Sequence, residues 1–113
     1  MKTVNIIRNG ETIVSVWHAT GYFARLRGLL GRSLAEDGGL LLTPCSAIHT
    51  IGMGYAIDAV YLDKRGLVLR IDEAIKPGKV CPQQRGARHV LELPEGGAKR
   101  RNISAGDILE VTS

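Results

Sequence analysis

The sequence predicts a mainly β domain, a β-rich α+β fold with one short helix in its N-terminal half. Three observations carry that reading. Fourteen glycines and four prolines among 113 residues imply many turns and short elements rather than a bundle. Asn9-Gly10 separates two β-prone runs, as a hairpin turn does. The run Ile57 to Leu62 is apolar on both faces of an extended strand, which predicts cover on both sides.

The first hairpin pairs Thr3 to Arg8 with Thr12 to His18. In its second strand Ile13, Ser15 and Trp17 share one face and Val14 and Val16 the other. Thr20 reads as a helix N-cap, and Phe23, Leu26, Arg27 and Leu30 then recur at helical spacing. Gly28 and Gly31 keep this helix short. Glu36-Asp37-Gly38-Gly39 is a turn, Leu40 to Leu42 a short buried strand that ends before Pro44, and Cys45-Ser46-Ala47 a loop. Gly52 and Gly54 flank Met53, where the backbone needs unusual freedom.

The central strand Ile57 to Leu62 turns through Asp63-Lys64-Arg65-Gly66 into a second hairpin strand, Leu67 to Ile71. There Leu67, Leu69 and Ile71 are expected to face inward, with Val68, Arg70 and Asp72 outward. Lys76 to Arg88 reads as a long basic loop, and loops of that length are often functional. His89 to Leu93 is a further strand, Ala98 to Arg101 a helical turn, and Ile108 to Val111 the last strand.

One domain spanning residues 1–113 is expected, since such a chain buries roughly two thirds of its unfolded surface. An apolar content of 44% with mixed charge excludes a disordered chain. The formal charge of +4 is uneven. Between Lys76 and Arg101, seven cations face only Glu92 and Glu95, and the remainder is near neutral. Such a stretch is either a solvated face or an anion-binding one. It contains no aromatic residue for base stacking, so nucleic acid is not the expected partner. Two cysteines do not make a disulfide framework. The N-terminus turns polar at Arg8-Asn9-Gly10 before any secretory h-region forms, and no apolar run approaches a membrane span. A cytoplasmic protein with reduced thiols and no membrane partner is expected. Oligomeric state is left open.

Several stretches in order resemble the DUF192 family of small bacterial and archaeal domains. They are Arg25-Leu26-Arg27-Gly28-Leu29-Leu30-Gly31-Arg32, Gly39-Leu40-Leu41-Leu42, His49 to Asp63, Val90-Leu91-Glu92-Leu93 and Gly106-Asp107. The likeness covers roughly Gly21 to Val111. The family's usual Trp-Met-Lys segment stands here as Ile51-Gly52-Met53-Gly54, and its proline before Ile-Asp is Ala56. The resemblance implies an antiparallel barrel or sandwich with one short helix packed on it, and no established activity.

The candidate site residues are Arg25, Arg32, Cys45, His49, Thr50, Met53 and Asp58. Asp58 is an acid inside an apolar strand and needs a partner. Arg25 or Arg32 from the helix is the expected one, either as a structural tether or as a guanidinium tuning an acid in a cleft. Cys45 and His49 suit a nucleophile pair or a metal site only if the backbone bends; a buried thiol beside a hydrogen-bonded imidazole is the plainer outcome. Gly28 to Ser33 lacks the Lys-Ser/Thr ending of a phosphate loop and follows helix, not strand. Met53 and Tyr55 line a pocket or fill the core. No cofactor and no metal is expected. The leading expectation is a small binding module for an anionic small molecule, glycan or peptide. The alternative is a hydrolytic or metal-dependent enzyme using Cys45, His49 and Asp58, and a third reading is an interaction subunit using the Lys76 to Arg101 face.

Overall fold

In the computed structural model, Asn9 and Gly10 sit at φ 51° and 80°, the two left-handed conformations of a type I′ turn. They join β1 (Lys2–Arg8) to β2 (Glu11–Ala19) as the expected antiparallel hairpin. The structure describes residues 1–29, 34 and 37–113, except the side chains of Phe23, Leu26 and Arg27. α1 (Tyr22–Arg27) follows; its N-cap is Gly21 without a side-chain cap, so Thr20 does not fill that role. Gly28, at φ 52°, ends the helix.

β3 (Leu40–Leu42), β4 (Ile57–Leu62), β5 (Val68–Ile75), β6 (His89–Pro94) and β7 (Glu110–Thr112) complete the sheet, with a four-residue turn of helix α2 (Gly97–Arg100) after β6. The seven strands run in the order β5-β4-β6-β3-β2-β1-β7. All neighbours are antiparallel except β2 and β3. The fold is therefore the β-rich architecture expected, with a sheet that curls but is not closed by a ladder. Its two ends meet at a single bridge between Leu67 and Ile108. Val68 N–H donates to Asp107 O at 2.8 Å, and Leu109 N–H donates to Gly66 O at 2.8 Å. Gly66 is obligatory there: at φ 91°, any Cβ would stand 1.9 Å from the Leu109 carbonyl oxygen.

Two cores result. The inner one draws on every strand, including Ile6, Val16, Leu41, Val60, Leu62 and Leu91, with Ile71 and Val111 packed against it. The outer one joins Leu40, Leu42, Ile57, Ala59, Tyr61 and Val90 to Leu29, Ile48 and Met53 from the segments laid over the sheet. β3 and β4 are buried along their whole length because both faces are covered. The alternation of β4 is as the sequence implies: Ile57, Ala59 and Tyr61 face outward to the second core, and Val60 and Leu62 inward.

β5 departs from the expected pattern. The register shifts against β4 twice, between Ile57 and Ala59 and between Tyr61 and Leu62. Such bulges invert the alternation locally. Val68 therefore turns inward, opposite Leu62, while Ile71 also faces in, opposite Val60. No described helix is long and apolar enough to cross a membrane.

Candidate functional site

Asp58 is fully buried, as its place in β4 implies. Its partner is not the expected one. Ala74 N–H donates to Oδ1 at 2.9 Å and Ala98 N–H to Oδ2 at 3.1 Å. Ala74 stands at φ 52° in the bulge of β5, and Ala98 lies in the first turn of α2. Asp58 thus satisfies two backbone donors that irregular structure leaves without ladder partners, the half-buried bond to Ala74 and the fully buried bond to Ala98. Arg25 is engaged elsewhere: its Nε donates to Thr20 O at 3.3 Å and its Nη1 to Pro44 O at 3.1 Å. The expected Asp58–Arg25 pair is thereby corrected, and Arg32 lies outside the described residues. The helix is tied to the loop after β3, not to an acid in the sheet.

The other expected residues gather on the opposite face. A cavity of about 170 Å³ lies between the end of α1, the sheet and the loop from Cys45 to Met53. Arg25, Cys45, His49 and Met53 line it, with Leu29, Leu42 and Ile48 as apolar wall. The loop is held by backbone pairing with the long basic loop: Thr50 N–H donates to Lys79 O at 2.8 Å and Cys81 N–H to Ile48 O at 3.0 Å. Thr50 itself does not line the cavity. Its buried hydroxyl donates to Lys76 O at 2.7 Å and accepts from Lys79 N–H at 2.9 Å, so it fastens the two loops together.

The residue that sequence reasoning missed is Glu92. In β6 it stands opposite Ala59 on one side and Leu40 on the other, so it faces the outer core and the cavity. It is 3% exposed, and no described residue donates a hydrogen bond to its carboxyl group. Burial alone pushes its pKa up to about 8, so at neutral pH it holds its proton. The same signal that marks Asp58, an acid within an apolar strand, marks Leu91-Glu92-Leu93, but the seven cations between Lys76 and Arg101 make Glu92 look like one more solvated charge.

Burial raises the Cys45 thiol above its ordinary value, and Glu92 adds to this while the Ala47 carbonyl and Arg25 oppose it. The thiol donates to Ala47 O at 3.2 Å. His49 is exposed at the rim and its Nδ1 accepts from Ile51 N–H at 3.2 Å, which leaves Nε2 to carry the proton of the neutral ring. No hydrogen bond joins the two side chains, and Asp58 faces away from both. The constellation of Cys45, His49 and Asp58 expected for an enzyme is not assembled. Among the described residues no three His, Cys, Asp or Glu side chains converge as a metal site would require. Tyr55 is raised by burial and then by Glu92, so that acid acts on both neighbours.

His18 and His89 come together unexpectedly. The Thr43 hydroxyl lies 3.0 Å from His18 Nε2 and 2.6 Å from His89 Nδ1. Cys81 belongs to the outer core beside Tyr61, and both cysteines are free thiols.

The DUF192 family model, described as uncharacterized ACR, matches residues 4–111. A crystal structure from Sinorhizobium meliloti, of a protein described as a candidate transcription regulator, is 27% identical with a TM-score of 0.82 and covers 96% of this chain and 92% of that one. A protein of unknown function from Novosphingobium aromaticivorans matches in fold, with a TM-score of 0.80 at 20% identity, over 96% of this chain and 83% of that one. No curated protein matches the chain.

Proposed function

We propose that this chain, which belongs to the DUF192 family, is a small binding module whose ligand enters the cavity between α1 and the Cys45 to Met53 loop. The observation that carries the reading is Glu92: a carboxyl group 3% exposed, with no hydrogen-bond donor among the described residues, that faces open volume. Buried polar groups are ordinarily satisfied, and one that is not calls for a reason. A ligand group is such a reason.

The lining sets the chemistry. At neutral pH the protonated Glu92 offers one O–H donor and one acceptor at the floor. Arg25 supplies the cavity's cation. Leu29, Leu42, Ile48 and Met53 supply apolar wall. A hydroxy acid, an amino acid, or an acidic sugar or peptide end fits this pattern, with its carboxylate toward Arg25 and its hydroxyl or amine toward Glu92. A volume of about 170 Å³ suits such a head group rather than a long peptide.

The test is a screen of small hydroxy acids, amino acids and acidic monosaccharides, read by methyl shifts of Leu29, Leu42, Ile48 and Met53. Saturable shifts that vanish in Glu92→Leu and persist in the distant control Lys99→Ala support the reading. Methyls that stay unmoved by every member of the set, or shifts indifferent to Glu92→Leu, contradict it.

A further inference from the structure

A second feature lies away from this cavity, where the turn after β4 meets the end of the long basic loop. Lys64 and Arg65 from the turn and Arg85 and Arg88 from the loop line one open groove of about 420 Å³. All four are exposed, and none of their side chains makes a hydrogen bond or ion pair with a described residue. The remaining wall includes Leu69, Gly86 and Ala87, so no aromatic ring is present.

One carboxyl group, Asp63, also lines the groove, but it is committed to the turn. Its Oδ1 accepts from Arg65 N–H at 2.8 Å and Leu67 N–H at 2.9 Å. Those bonds, Leu67 foremost, hold Asp63 below the usual carboxylate range, so it stays ionised near pH 7 and offsets one of the four cations, leaving the groove with a net positive charge.

The cations are mounted on fixed backbone. Arg88 N–H donates to Leu62 O at 2.7 Å, and Cys45 N–H donates to Arg88 O at 3.0 Å. Arg70 pins the loop from the other side, through Nη2 to Pro82 O at 2.8 Å and Nη1 to Gln84 Oε1 at 3.1 Å. Arg70 is itself held by Asp72 at 3.0 Å and lies 4.0 Å above the Tyr61 ring. Like charges gathered on anchored segments repel one another, and that repulsion is relieved by a counter-anion.

We infer that this groove is an anion site for a compact diphosphate-class ligand. Three guanidinium groups can each grip phosphate oxygens in pairs, and a lysine adds a point charge. The absence of an aromatic platform disfavours stacked single-stranded nucleic acid, and a groove of about 420 Å³ lined by eight residues suits a small polyanion.

Calorimetric titration of the whole chain with inorganic pyrophosphate tests this, at fixed ionic strength. The expected result is saturable one-to-one binding that Arg85→Ala/Arg88→Ala weakens by about tenfold or more. Lys76→Ala/Lys99→Ala removes the same charge elsewhere and should shift affinity by less than about twofold. Unchanged thermal unfolding confirms that both variants fold. No saturable binding, or equal losses in the two variants, would overturn the site. A short DNA duplex that binds more tightly than pyrophosphate at the same salt, with the same dependence on Arg85 and Arg88, would overturn the diphosphate assignment in favour of nucleic acid.

Discussion

Asp58 and Glu92 are both buried acids on paired strands, and they sit one register step apart: Asp58 lies opposite Leu93, and Ala59 opposite Glu92. Because side chains alternate along a strand, that step sends one carboxyl into the inner core and the other into the outer one. The inner acid is saturated by Ala74 and Ala98 N–H groups. The outer acid has no donor among the described residues and borders a cavity. Burial alone therefore does not distinguish an acid that the fold satisfies from one that it does not; the inventory of donors does.

The largest effect should come from breaking the inner acid. Asp58→Ala leaves the half-buried Ala74 N–H in the β5 bulge and the buried Ala98 N–H in α2 without their acceptor. A loss of about 4 kcal/mol is expected in urea unfolding, from two hydrogen bonds to a carboxyl group. A loss below about 1 kcal/mol would mean that water or repacking replaces Asp58, and the contrast between the two acids would fail.

Glu92 should act with pH instead. Its folded pKa of about 8 lies above the ordinary 4.5, so the fold prefers the neutral acid. This contribution to stability is complete below pH 4.5, declines as the unfolded chain ionises, and levels off above pH 8. The decline between pH 5 and pH 8 amounts to about 3 kcal/mol. Glu92→Gln should flatten that part of the profile in denaturant midpoints. An unchanged slope in the variant would place the pH dependence elsewhere.

A smaller effect should follow from Thr50→Val, which keeps the shape of a fully buried side chain but removes the hydroxyl between Lys76 O and Lys79 N–H. A loss of about 2 kcal/mol is expected. The cavity methyls Ile48 and Met53 should broaden, since the loop that carries them would loosen. Sharp, unshifted methyl signals would show that the loop pairing does not shape the cavity.

Much of this was legible in the residues. Asn9-Gly10 specified a turn whose φ angles allow few alternatives. The double-faced apolar run of β4 announced a strand with cover on both sides. Arg25, Cys45, His49 and Met53, singled out from the sequence, line one cavity. The partner of Asp58 was not legible, because its donors lie 16 and 40 residues away. They become available only through a bulge at Ala74 and a turn of helix at Ala98, which no local pattern records. The inward turn of Val68 was hidden for the same reason. Glu92 could have been found: it interrupts Val90-Leu91-Glu92-Leu93 as Asp58 interrupts β4, but its neighbourhood of basic residues disguised it as a solvated charge.

Glu92 is a protonated acid that borders a cavity and has no hydrogen-bond donor among the described residues. Carbon-13 NMR of the Glu92 carboxyl across a pH titration of the free protein measures this directly. A midpoint near pH 8 is predicted. A midpoint near the ordinary 4.5 would show a solvated or paired carboxylate and would contradict the account.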